Sequence, residues 1–183
     1  CSSDLGPKSI LVEPILENFD LLKKNYKDYE NIIFENSAIS VNKEIKFLYK
    51  VKDDSKKYYS NHIPAIPSFD KKHLLNHGVK NSHIIEQSIK SISLKDLFDK
   101  NKIKNLDLLY IDAEGYDGKI VMDFLNNFEI KPIIIFEYIH VKNILFENIL
   151  NKLKEKEYIY FKISENICCV PKNNNFILDL NSR

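Results

Sequence analysis

The sequence predicts a single α/β domain with a mostly parallel sheet, and three observations carry that expectation. Short apolar strands alternate with amphipathic helices along most of the chain. The strand cores are continuous apolar runs, such as "LDLLYID" and "KPIIIFEYI", which suit strands covered on both faces. A closing pair, "YIYFKIS" and "NICCVPK", reads as an antiparallel hairpin.

Each element has its own local reason. "KSILVEP", Lys8 to Pro14, is a short apolar strand stopped by Glu13 and Pro14. "ENFDLLKKNYKDY" follows as a helix, with Phe19, Leu22 and Tyr26 at helical spacing. "NIIFENSAIS", Asn31 to Ser40, is a second strand, and "EIKFLYKV" a third. "SHIIEQSI" is another strand. "SLKDLFDKNKI" is a helix capped by Ser93, with Asp96 three residues on in a capping-box pattern. After "LDLLYID" a helix is expected from Tyr116 to Phe128. "VKNILFENILNKLKEKE" is the clearest amphipathic helix, with Ile144, Leu145, Ile149 and Leu153 as its apolar face. Residues 52–82 hold prolines, charges and aromatics without a sustained period, and read as an irregular insertion. With no internal repeat or linker, residues 1–183 form one domain. Residues 1–7, "CSSDLGP", lack a starting Met, resemble a translated sequencing adapter, and are expected to be non-native.

Composition excludes several classes. A net charge of +1 gives no reason for a nucleic-acid or membrane partner. The only Arg is Arg183, and the Lys-rich stretches read as solvated faces. No apolar run approaches the ~20 residues needed to cross a bilayer. Three cysteines, two of them adjacent as Cys168-Cys169, form no disulfide or zinc pattern and suit a reducing, cytoplasmic setting. Oligomeric state is not legible.

Ligands of open parallel sheets bind beyond the carboxyl ends of the strands, so the residues that end strands are the site candidates. Glu13 ends the first. Its two carboxylate oxygens match the vicinal hydroxyls of a ribose; equally, it is an acid placed at a helix N-terminus. Ser37 and Ala38 end the second strand. Glu137, Tyr138 and His140 end the strand "PIIIFEYI". The densest cluster is "DAEGYDG", with Asp112, Glu114 and Asp117 around two of the chain's 4 glycines. Gly115 and Gly118 supply backbone freedom for a turn. One carboxylate then faces the cleft while the other, Glu114, caps the next helix or braces the turn. Crowded carboxylates persist only where donors, a cation or a substrate hydroxyl compensates. Of 5 histidines, His73 and His77 are four apart and share a helical face. No Cys or carboxylate stands at matching spacing, so no metal site is expected.

These segments resemble, in order, those of the FkbM-type methyltransferases. "VEPILENFDLLKKNY" is similar to that family's "VEP…F…L…N" segment and "ENSAIS" to its "n-x-A-i-s" strand end. "SISLKDLF" is similar to its "v-sLddl" segment and "LDLLYIDAEGYDGKIV" to its hallmark "iDlLkiDvEGyE". The resemblance implies a class I methyltransferase Rossmann-like sheet and S-adenosylmethionine as cofactor. It places Glu13 at the cofactor ribose, Ser37 and Ala38 against the adenine, and Asp112 beside the methionine end. It implies O-methylation of a small-molecule or glycan hydroxyl, with Asp112 as general base and Glu114 or His140 in reserve. The family's first strand and glycine-rich loop have no counterpart before "SILVEP". The expectation is therefore an N-terminally truncated sheet, with a gap between the strands ending at Glu13 and Asp112, and poor cofactor binding. Residues 52–82, with Tyr58, Tyr59 and His62, are expected to shape the acceptor pocket. Two other readings are a different nucleotide-using α/β enzyme and a non-catalytic interaction domain lacking the cofactor loop.

Overall fold

In the computed structural model of the chain, which describes residues 8–41, 47–60, 63 and 66–172, strands and helices follow the predicted order closely. β1 (Ser9–Val12) leads into α1 (Leu16–Asn25) and then β2 (Ile32–Glu35), which runs parallel to β1. The single strand expected over 31–40 is broken by a turn, and its second part, β3 (Ala38–Ile39), pairs elsewhere. β4 (Phe47–Val51) and β5 (Ile84–Ser88) are antiparallel, and β3 runs parallel to β6 (Ser91–Ile92).

The second half holds the largest sheet. α3 (Leu94–Asn101) begins at Ser93, whose hydroxyl accepts the Asp96 N–H at 3.1 Å and donates to the Asp96 carboxylate, as the capping pattern predicts. β7 (Leu108–Ile111), α4 (Asp117–Asn127), β8 (Ile133–Glu137) and α5 (Asn143–Glu155) alternate strand and helix, closed by β9 (Tyr158–Ile163) and β10 (Asn166–Pro171). The sheet order is β7-β8-β10-β9, with β7 and β8 parallel and β10 inserted antiparallel to both neighbours. Cys168 and Cys169 are free and buried in β10.

Two expectations need correction. The sheet is not mostly parallel: three strand pairs are parallel and three antiparallel among the described residues. The extra antiparallel pair is β4 with β5, made because the 52–82 segment returns the chain beside β4. On α5, Ile144 is 77% exposed, while Ile149 and Leu153 are buried and Leu145, Phe146 and Leu150 pack beside them. The stripe is one residue narrower at its start than the apolar sequence suggests.

The strands do not join into one hydrogen-bonded sheet. Among the described residues β1 pairs only with β2, and β7 only with β8. Leu108 and Tyr110 are accordingly exposed on β7, although both belong to an apolar strand.

The described residues of the 52–82 segment form short pieces. A 3-10 turn spans Asp53–Tyr58, α2 spans Lys71–Asn76, and a second 3-10 turn spans Asn81–His83. Val51, Ile63, Leu74, Val79 and Ile84 make a small core of their own. The segment also docks on the turn after β7. The Ser68 hydroxyl donates to the Glu114 carbonyl at 2.9 Å, and Phe69 meets Tyr116 edge to face.

That turn is held from inside. Asp117, fully buried at the start of α4, accepts the Ala113 and Gly115 N–H groups, each at 3.1 Å, one on each carboxylate oxygen. The bracing role expected of Glu114 belongs to Asp117. Glu114 and Gly115 both take positive φ, +47° and +95°, so the chain reverses over two left-handed residues. Gly118 has a different duty from the one expected. It lies inside α4, where a Cβ would sit 2.7 Å from Val141 Cγ1 and 3.0 Å from Leu145 Cδ2. It lets α4 approach the start of α5.

Two stability predictions follow from this packing. Gly118→Ala overfills the α4–α5 contact and should destabilise the protein by about 1–3 kcal/mol in urea unfolding. Asp117→Asn turns an amide toward a backbone donor and should cost about 2–3 kcal/mol. Unchanged midpoints would contradict the contacts described.

Candidate active site

Asp112, Glu114, Glu137 and His140 converge because β7 and β8 are adjacent and parallel and end at the same level. Asp112 follows β7 directly and is exposed. Glu137 is the last residue of β8, and His140 lies in the turn beyond it. Gly115 brings the two turns together: an added Cβ there would lie 3.6 Å from the His140 Cβ.

The site is acidic and poorly hydrated. Burial, followed by the charges of Asp112, Glu137 and Asp117, raises the Glu114 carboxyl to about 7. Burial, followed by Asp117, Asp112 and Glu165, likewise raises Glu137 to about 7. The Glu137 Oε2 atom is buried without a hydrogen-bond partner, and its distance to His140 Nε2 is 3.9 Å. Burial also pushes Asp117 up, although the N–H groups of Ala113, Asp117 and Gly115 oppose it.

The 52–82 segment adds two residues that were not assigned to this place. His73 and His77, on and just after α2, pack near His140, with ring centroids 4.5 Å apart for the tilted His73–His77 pair and 4.7 Å for the edge-to-face His73–His140 pair. His73 Nε2 lies 3.6 Å from Glu114 Oε2, too far for a hydrogen bond. The pairing of His73 with His77 is visible in their spacing. Their meeting with His140 depends on tertiary structure, and no sequence signal announces it. The same holds for Ser68.

The other candidates lie in their own surroundings. Glu13 is half-buried, and its Oε1 accepts the Ile15 N–H at 2.7 Å at the entrance to α1. Burial raises its pKa against hydrogen bonds from Ile15 and Asn18. The helix-entrance role is thus realised, and the carboxylate keeps lone pairs beyond that bond. Ser37 and Ala38 are buried, and the Ser37 hydroxyl donates to Glu35 at 2.7 Å. Glu35 also accepts from Lys100 at 2.5 Å. Tyr58 and Tyr59 border a shallow cavity with Lys80 and His83, where Tyr58 stacks on His83 and the Tyr59 hydroxyl lies 2.7 Å from His83 Nδ1. His62 lies outside the described residues.

Among the described residues no helix is long and apolar enough to cross a membrane. No curated protein and no solved structure matches the chain. A family model described as the methyltransferase FkbM domain matches residues 2–160 of the 183. The carboxylate-bearing turn after β7 lies within that span, and the chain belongs to the FkbM methyltransferase family.

Proposed function

We propose that the protein belongs to an S-adenosylmethionine-dependent system that methylates a hydroxyl on a sugar or natural-product acceptor. The observation that carries this reading is the shared mouth of β7 and β8, where Asp112 stands exposed beside Glu114, Glu137 and His140. A family of methyltransferases implies a methyl donor, and the residues present fit that cofactor in part. Glu13 retains acceptor capacity for ribose hydroxyls at the end of β1. Asp112 and its neighbours give the cleft the negative charge that a sulfonium ion favours. Ser37 and Ala38, buried between β2 and the start of β3, would form the floor of an adenine site rather than its contact surface.

The cofactor supplies an electrophilic methyl group and leaves as a thioether. The chain's own task is to align the acceptor hydroxyl and receive its proton. Asp112 would receive that proton as general base when the acceptor hydroxyl is methylated. Its exposure lets the proton pass on to solvent. Glu114 and His140 flank it. Family membership favours methyl transfer over a nicotinamide-dependent reaction.

The test is transfer of labelled methyl groups to a panel of glycosides and polyhydroxylated natural products, at high cofactor concentration. Asp112→Asn should lower the rate by about 10²–10⁴-fold while cofactor affinity stays within a few-fold. An unchanged rate removes Asp112 from the base role. Glu13→Gln should weaken cofactor binding by roughly tenfold or more, and unaltered binding would detach Glu13 from the ribose.

A further inference from the structure

We propose that His73, His77 and His140 bind a first-row divalent cation of the zinc type, with the Glu114 carboxylate as fourth ligand. One ligand atom from each histidine lies within 4.8 Å of the others. Nitrogen ligands about 2.0–2.1 Å from a tetrahedral zinc stand about 3.4 Å apart. The widest pair therefore has to close by roughly 1.4 Å, within the reach of small ring rotations.

Three further observations point to a ligand. The His73 side chain is only 9% exposed, and its Nε2 is buried without a hydrogen-bond partner. A lone ring nitrogen aimed into a polar cluster costs free energy unless something accepts it. His77 Nδ1 lies 2.9 Å from the His73 carbonyl. A carbonyl only accepts, so Nδ1 carries the proton and Nε2 presents a lone pair, the usual orientation of a metal-ligating imidazole. The surrounding acids supply the charge. Glu114 stands 3.6 Å from His73 and Glu137 3.9 Å from His140, so a dication would offset repulsion that the imidazoles alone leave in place.

The donor set decides the class of ion. Three imidazoles and one carboxylate suit zinc, cobalt or nickel better than magnesium or calcium, which favour all-oxygen shells. Two of the four ligands come from the 52–82 segment, one from the turn after β7 and one from the turn after β8, so the ion would fasten that segment to the strand mouths. The proposal does not depend on methyl transfer. Spacing alone gave no reason for a metal, because the third histidine arrives from 63 residues away in sequence, at His140 against His77.

The test is calorimetric titration of the metal-stripped protein with zinc, together with the visible spectrum of its cobalt-loaded form. One equivalent should bind in the micromolar range or tighter, and cobalt should show the intense bands of four-coordinate geometry. His140→Ala should weaken binding by more than the roughly 10–100-fold lost with an orienting neighbour, while His83→Ala, outside the cluster, should leave it unchanged. Should His140→Ala fail to fold by circular dichroism, His77→Gln, at an exposed position, makes the same test. Absence of saturable one-to-one binding, or binding equal in wild type and both cluster variants, would overturn the site. Retained zinc binding with no methyl transfer would leave this site standing and remove only the functional reading.

Discussion

The buried carboxylate of Asp117 is the contact on which the site depends. A strand end normally leaves its last N–H groups to water or to the next strand. Here the N–H groups of Ala113 and Gly115 turn inward to one carboxylate, and the chain folds back over Glu114 and Gly115 into α4. A non-glycine residue at a positive φ is uncommon and persists only when its surroundings hold it. Glu114 is held on two sides, by the Asp117 brace through its neighbours and by the Ser68 hydroxyl on its carbonyl. This geometry leaves Asp112 outside and Glu114 half inside, so two acids two residues apart meet different environments.

From that turn follows a charge imbalance. Asp112, Glu114, Asp117 and Glu137 share the mouth of two neighbouring strands; after burial, the charges of Asp112, Glu137 and Asp117 raise Glu114, those of Asp117 and Asp112 raise Glu137, and that of Asp112 raises Asp117. The described lysine ion pairs lie elsewhere, on Glu17, Asp53, Glu35, Asp99, Glu129, Glu155 and Glu157. The nearby basic groups are imidazoles, and His73 is held neutral. Protonation of Glu114 and Glu137, each raised to about 7, or a bound cation would relieve that repulsion. The sulfonium cofactor and the divalent cation proposed above would each answer that electrostatic demand.

The sequence made some of this legible because the signals were local. The Ser93 cap depends on residues three apart, the hairpin on alternation, and the acidic turn on an apolar strand meeting two glycines. The features that escaped depend on packing. Nothing local tells Asp117 from Glu114 as the brace, since both are acids near a glycine. Only the direction of α4 buries one and leaves the other at the surface. Gly118 was assigned to the turn by proximity, yet it serves the contact of α4 with Val141 and Leu145. Parallel and antiparallel strands also use similar apolar runs, so the β4–β5 pairing was invisible until the chain between them was placed.

That intervening chain is the least periodic stretch, and it brings most to the site that sequence spacing missed. Its pieces are too short to stand on propensity alone: α2 has six residues. They hold because Leu74 is fully buried with Val51, Val79 and Ile84, and because Ser68 and Phe69 rest on the β7–α4 turn. A segment stabilised by what it touches, rather than by its own pattern, reads as irregular when met as sequence. Such a segment is also free to carry histidines and hydroxyls to a strand mouth, because no periodic face constrains where they fall. In this protein the acidic turn lies within the span that the family model matches, and two of the three histidines that meet it are supplied by the aperiodic segment.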